Sequence, residues 1–140
     1  FQLPDALLNM TKKGMKLAVG QVNDWMDCGN KNATVETNSK VLGYIEEELS
    51  IPDSAVMENS IVIPPCYIGE NVRLKNTIIG PGVSIGANSE LENSIVRNSI
   101  IQSHSKLINS VLSNSMIGSH TAVQGDAKDI SLGDYSTISL

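Results

Sequence analysis

Large rings are almost missing from this sequence: one tryptophan, one phenylalanine and three tyrosines among 140 residues, although 41% of the chain is apolar. A globular core of this size normally holds more of them, so their scarcity favours a narrow interior filled by aliphatic and small side chains. Cysteine is nearly missing too. Cys28 and Cys66 stand far apart and form no Cys-x-x-Cys pair, which excludes a disulfide framework and fits two reduced, buried thiols in a cytoplasmic protein. Clusters of lysine and arginine are absent and the net charge is −5, which argues against nucleic acid and against an anionic membrane surface as partners. No apolar run is long enough to cross a bilayer, and no signal peptide opens the chain. The initiator methionine is also missing, and Phe1 leads straight into a helix signal, so the chain is expected to be an excised fragment of a longer protein.

What the sequence has in abundance is one repeat. From Ser54 to Val123 an aliphatic residue returns every five or six positions: Val56, Val62, Ile68, Leu74, Ile79, Ile85, Leu91, Val96, Ile101, Leu107, Leu112, Ile117 and Val123. Two residues before each sits a small or β-branched one: Ser54, Ser60, Cys66, Val72, Thr77, Val83, Ser89, Ser94, Ser99, Ser105, Ser110, Ser115 and Thr121. No helix has that period, and self-similarity at about six residues points to a β-helix. Alternation along a strand puts the two positions of each pair on one side, where they would fill the interior. Three strands make one coil. Val62 to Ile79 is 17 residues, Ile79 to Val96 is 17 and Val96 to Leu112 is 16, so about five coils are expected.

The five-residue steps have a visible cause. Each is entered through an Asn-Ser or Asn-Thr pair, at Asn76-Thr77, Asn93-Ser94, Asn98-Ser99, Asn109-Ser110 and Asn114-Ser115. Asparagine tolerates the left-handed backbone of a tight corner better than other residues with a side chain. Glycine follows the interior residue at Gly69, Gly80, Gly86, Gly118 and Gly133, again at corners. Asparagines repeated at coil spacing would also be placed to hydrogen-bond from coil to coil. After Val123 the count breaks at 125–129, a loop or bulge. Leu132 and Ile138 then resume it, with 138–140 as the last strand.

One further column stands immediately before the interior residue: Ile61, Ile78, Ile95 and Val111, spaced 17, 17 and 16. Neighbours on a strand point to opposite faces, so these four are expected outside, on one face, with Ile100 and Met116 beginning a second column. An exposed aliphatic stripe in register with the coil suggests an interface, with other copies of the chain or with the rest of a longer protein.

The lead-in is less regular. Residues 1–14 read as a helix, with Pro4 in its first turn, Asp5 at the positive end of its dipole, Gly14 at its exit, and Leu7, Leu8 and Met10 as its buried side. Residues 15–22 alternate well enough for a strand. Asn30 is placed to cap a helix over roughly 31–43, anchored by Val41 and Leu42. The division expected is therefore 1–45, a linker at 46–55, and the repeat domain at 56–140. The first unit is too small to bury a core alone.

The hexad pattern resembles the left-handed parallel β-helix of hexapeptide-repeat proteins, and the left hand is implied by that resemblance alone. A second resemblance lies in the first fifty residues. QLPDAL at 2–7, then WMDCG at 25–29, then a helix ending near Val41-Leu42, are similar to the end of a sugar-1-phosphate nucleotidyltransferase domain, nearest to glucose-1-phosphate thymidylyltransferase-like enzymes. Pro4 stands where that family usually has threonine. Many of its members carry a left-handed β-helix at this place, so the resemblance implies a mainly β fold preceded by an α/β remnant of a Rossmann-like domain. It also implies an activity: a nucleoside triphosphate and a sugar 1-phosphate joined with release of pyrophosphate, and a homo-oligomer, with a trimer favoured. By the motif match Asp27 would coordinate Mg²⁺, a hard cation suited to carboxylate oxygen, while Trp25 and Gly29 support the loop. The plainer reading of Asp27 is a turn cap, since Asp-Cys-Gly is turn chemistry. The catalytic residues and the first metal carboxylate of that family lie upstream of Phe1, so the fragment alone is expected to be inactive. A second function class is the hexapeptide-repeat acyl-CoA-dependent acyltransferase, which uses a histidine as general base. The only histidines, His104 and His120, stand three residues before an interior residue, the corner position that asparagine and glycine hold elsewhere.

Overall fold

The computed structural model describes residues 2–125 and 131–139. It is a parallel β-solenoid of short strands, preceded by two helices. α1 spans Leu3–Lys12 and α2 spans Lys31–Tyr44, and a single 3₁₀ turn at Glu46–Glu48 leads into the coils. The first coil holds β1 (Val56–Glu58), β2 (Ile61–Val62) and β3 (Cys66–Ile68), and the second β4 (Arg73–Lys75), β5 (Ile78–Ile79) and β6 (Val83–Ile85). The third holds β7 (Glu90–Glu92), β8 (Ile95–Arg97) and β9 (Ser99–Ile101), and the fourth β10 (Lys106–Ile108), β11 (Val111–Ser113) and β12 (Met116–Ile117). β13 (Ala122–Gln124), β14 (Ser131–Leu132) and β15 (Thr137–Ser139) complete the described chain.

Equivalent strands of successive coils pair in parallel and build three faces. The first face runs β1-β4-β7-β10-β13-β15, the second β2-β5-β8-β11, and the third β3-β6-β9-β12-β14. The interior column of the first face is Met57, Leu74, Leu91, Leu107, Val123 and Ile138, each the register partner of the next. Most interior aliphatics are sealed: Ile79, Val83, Ile85, Val96 and Leu107 are 0% exposed. The less sealed ones, Val62, Leu132 and Ile138, and Met57 at 38% exposed, lie in the first and last coils.

The first hexad needs a correction. Val56 pairs with Arg73 and Met57 with Leu74, so Met57, not Val56, is the interior residue, and Ala55, not Ser54, is its small companion. The step from Met57 to Val62 is five residues and enters through Asn59-Ser60, with Asn59 at φ 46°, so it obeys the rule of the other short steps.

Corner chemistry explains the period. The residue three before the interior one has positive φ at Asn59, Asn71, Asn76, Asn88, Asn93, Asn98, Asn109 and Asn114, and equally at His104, His120 and Tyr135. Such a backbone turns the chain sharply, and asparagine accepts it because its short amide bonds locally. The amides also bond along the solenoid. Asn59 Nδ2 donates to Asn76 Oδ1 at 2.9 Å, Asn76 to Asn93 at 3.0 Å and Asn93 to Asn109 at 3.0 Å. Most of the small interior positions are hydroxyls bonded to backbone groups. Ser94 Oγ donates to the Glu92 carbonyl and accepts the N–H of Ser110 from the next coil, and Ser99 does the same for Arg97 and Ser115. These hydroxyls catch backbone groups at corners, where the strand ladder is interrupted. Thr77 departs from the pattern: its buried Oγ1 has no hydrogen-bond partner among the described residues.

Two lead-in expectations are corrected. Residues 15–22 form no strand, because no neighbouring strand offers them backbone partners and a strand is stable only when paired. The Leu7, Leu8 and Met10 side of α1 is not buried, since no residue of that helix is. α2 forms as expected, capped by Asn30 Oδ1, which accepts the Ala33 N–H. Its buried residues are Val35 and Leu42, while Val41 is exposed, because the helix lies against β6 and β9 with Val35 and Leu42 turned inward. Asn38 is its polar anchor: its Oδ1 accepts from Ser84 Oγ at 2.6 Å and its Nδ2 donates to the Gly82 carbonyl. Lys31 Nζ reaches the Asn114 carbonyl at 2.8 Å.

Candidate functional site

Three places draw attention: the loop around Asp27, the histidine corners, and the outer faces of the solenoid.

In the loop, Asp27 Oδ1 accepts the N–H of Gly29 at 3.0 Å, an Asx turn. Thr37 Oγ1 donates to the Asp27 carbonyl and Thr34 Oγ1 to the Cys28 carbonyl, so α2 holds the loop from behind. Tyr44 OH donates to Asp24 Oδ2, which keeps the phenolic proton and pushes the tyrosine pKa up. Trp25 is 84% exposed. Asp27 therefore presents an exposed carboxylate on a supported turn. That suits one ligand of a hard cation that keeps most of its waters. Among the described residues no group of three or more His, Cys, Asp and Glu is placed to hold a metal.

The histidines are corner residues. His104 and His120 have φ 59° and 56°, and their rings stack with centroids 4.7 Å apart and planes 2° from parallel. Tyr135 adds a third ring, 4.9 Å from His120. This column continues Asn71 and Asn88, whose amides bond at 3.3 Å, so the rings replace an amide ladder in the later coils. Sequence spacing marked the two histidines as corners. Tyr135 stands at the same offset from Ile138, a signal that was there to be read.

The thiols are not both buried. Cys28 is exposed, because its loop packs nothing over it, whereas Cys66 is partly buried. Burial pushes the Cys66 thiol up from its ordinary range, and Sγ donates to the Ile63 carbonyl at 3.1 Å. A cavity of about 270 Å³ between Leu49, Ile51, Val62, Pro65 and Cys66 marks where the linker crosses the first coil.

The outer faces differ in kind. On the second face Ile61, Ile78, Ile95 and Val111 are register partners in one outward column, with Ile61 59% and Val111 50% exposed. On the third face Ile100 and Met116 are register partners, and α2 lies against the strand that carries Ile100. The first face is charged, with Lys75–Glu92 and Lys106–Glu90 ion pairs, both at 3.4 Å.

Comparison of the chain with known protein families gives no match, and comparison with curated proteins gives none either. The fold is thus defined by its own geometry, as a parallel β-solenoid. Among the described residues no helix is long and apolar enough to cross a membrane.

Proposed function

We propose that the chain is the C-terminal part of a sugar-1-phosphate nucleotidyltransferase, cytoplasmic and homo-oligomeric, in which a left-handed solenoid assembles the enzyme. The observation that carries this reading is the division of labour along the chain. Among the described residues the solenoid interior is mostly aliphatic and hydroxyl side chains, no group of three or more His, Cys, Asp and Glu is placed to hold a metal, and the longest outward aliphatic column is the in-register Ile61–Ile78–Ile95–Val111 stripe on the second face. Exposed aliphatic surface of that regularity favours burial against copies of itself, and a trimer is the assembly the resemblance favours.

The chemistry of such an enzyme joins a nucleoside triphosphate to a sugar 1-phosphate, and its barrier falls mainly through positioning and charge stabilisation. Mg²⁺ supplies charge screening when bound, and Asp27 is the residue of this chain that would hold it. The Asx turn at Gly29 fixes the carboxylate's direction, and Thr37 fixes the backbone beneath it. His104 and His120, the residues an acyltransferase reading would use, stack ring to ring as corner residues of the coil.

The test is formation of a nucleotide sugar and pyrophosphate by the longest native chain containing these residues, in the presence of Mg²⁺. Loss of that activity in Asp27→Ala, with Asp27→Glu retaining part of it, supports the reading. Acyl transfer from acetyl-CoA by the same protein, abolished by His120→Asn, overturns it.

A further inference from the structure

The first face of the solenoid carries a charge pattern with a symmetry of its own. Its outward residues, coil by coil, are Val56 and Glu58, then Arg73 and Lys75, then Glu90 and Glu92, then Lys106 and Ile108. The charged rows therefore run negative, positive, negative, positive. Alternation makes sense within one chain, because like charges directly opposite on paired strands repel. It accounts for the Lys75–Glu92 and Lys106–Glu90 pairs, but it leaves Arg73 and Glu58 without an ion pair among the described residues. All four members of the two ion pairs remain 42–55% exposed and open to a second partner.

We infer that this face docks against the same face of a second copy, with the two solenoid axes antiparallel. A two-fold axis parallel to the strands, passing between the second and third coils, keeps each residue's place along its strand. It sets the second coil of one copy against the third of the other. Arg73 then meets the partner's Glu90 and Lys75 meets the partner's Glu92, and symmetry repeats both, which makes four pairs of opposite sign. The other two-fold axis open to this face, along the solenoid, sets every coil against itself and opposes like charges. Charge thus selects one orientation. The patch spans four coils about 4.8 Å apart, small beside a standard interface, so the contact is weak alone and salt-sensitive. It does not rest on the enzymatic reading, and it uses a different face from the aliphatic column.

Sedimentation equilibrium tests it on this chain, in Ile95→Asp protein so that the aliphatic face is silent. The expected result is self-association that weakens at least about tenfold between about 20 mM and about 500 mM salt. Arg73→Glu/Lys75→Glu and Glu90→Lys/Glu92→Lys proteins, each shown folded by circular dichroism, are each expected to be monomeric. Mixed in equal amounts, they are expected to associate again, because reversed rows face reversed rows. Association that persists in both single-row variants overturns the proposal, as does a folded, monomeric Ile95→Asp protein at low salt. Failure of the mixture to associate overturns it too. Should a reversal unfold the chain by breaking Lys75–Glu92, Arg73→Glu alone, which breaks no ion pair among the described residues, carries the single-row test and is likewise expected to be monomeric, its continued association overturning the proposal.

Discussion

His104 and His120 lie one coil apart with parallel rings 4.7 Å between centroids, each on a left-handed backbone that asparagine holds at most other corners. Two kinds of side chain thus solve one problem: holding the chain at a strained corner and tying it to the next coil. His120→Asn keeps the backbone preference and gives up two ring contacts, so a loss of about 0.5–1.5 kcal/mol is expected in urea unfolding. His120→Ala gives up both and is expected to cost roughly 1 kcal/mol more.

The buried hydroxyls are not equivalent. Ser94→Ala leaves the Ser110 N–H buried without its acceptor and is expected to cost about 1–3 kcal/mol. Thr77→Val removes a hydroxyl that already has no partner, replacing it with a methyl of the same shape. It is expected to be neutral or stabilising, by up to about 1 kcal/mol. Opposite signs in chemical denaturation are the result that checks the account.

Two glycines give a second contrast. A Cβ on Gly86 would lie 2.5 Å from the backbone nitrogen of Ser103 in the next coil, so Gly86→Ala must push two coils apart. A loss of about 1–3 kcal/mol follows. Gly43 sits within α2 with nothing within 4 Å of such an atom, and Gly43→Ala should stabilise by about 0.5–1 kcal/mol.

The thiols separate by pH. Cys28 is exposed and should react first with a thiol reagent at neutral pH, while Cys66, its pKa raised by burial, should lag and gain speed only in more alkaline solution. The fold favours the neutral Cys66 thiol. Its stabilising effect is therefore complete below the ordinary thiol range and is lost as pH rises through the raised value. In Cys66→Ser the alkaline fall in melting temperature is expected to be shallower.

The aliphatic column makes a third kind of prediction. Ile78→Asp and Ile95→Asp change outward positions, so the coils should fold with nearly unchanged stability, while any assembly through the second face dissociates in sedimentation velocity.

The repeat was legible because its chemistry is local: a corner needs asparagine or glycine, an interior needs aliphatic and small residues, and both recur at a fixed step. The one miscount arose where Val56 looked more strand-like than Met57, yet Asn59 sets the corner. Residues 15–22 show the opposite limit. Alternation says which face a strand would present, but a strand also needs a neighbour, and the sequence does not say who that is. Asp27 could be placed on a turn from Asp-Cys-Gly alone. Its support from Thr37 depends on how α2 returns to the loop, which no local pattern encodes. The charge rows of the first face were written in the sequence but become visible only once coils are laid in register.

α2 has a mechanical consequence. In a solenoid each coil touches only the one above and the one below, so unfolding can travel inward from an end, one coil at a time. The helix is anchored at Gly82 and Ser84 in the second coil, lies along β9 in the third and reaches Asn114 in the fourth. It is a splint across three coils that would otherwise unzip singly. Those three should open as one unit in hydrogen exchange, with the first and last coils fraying independently.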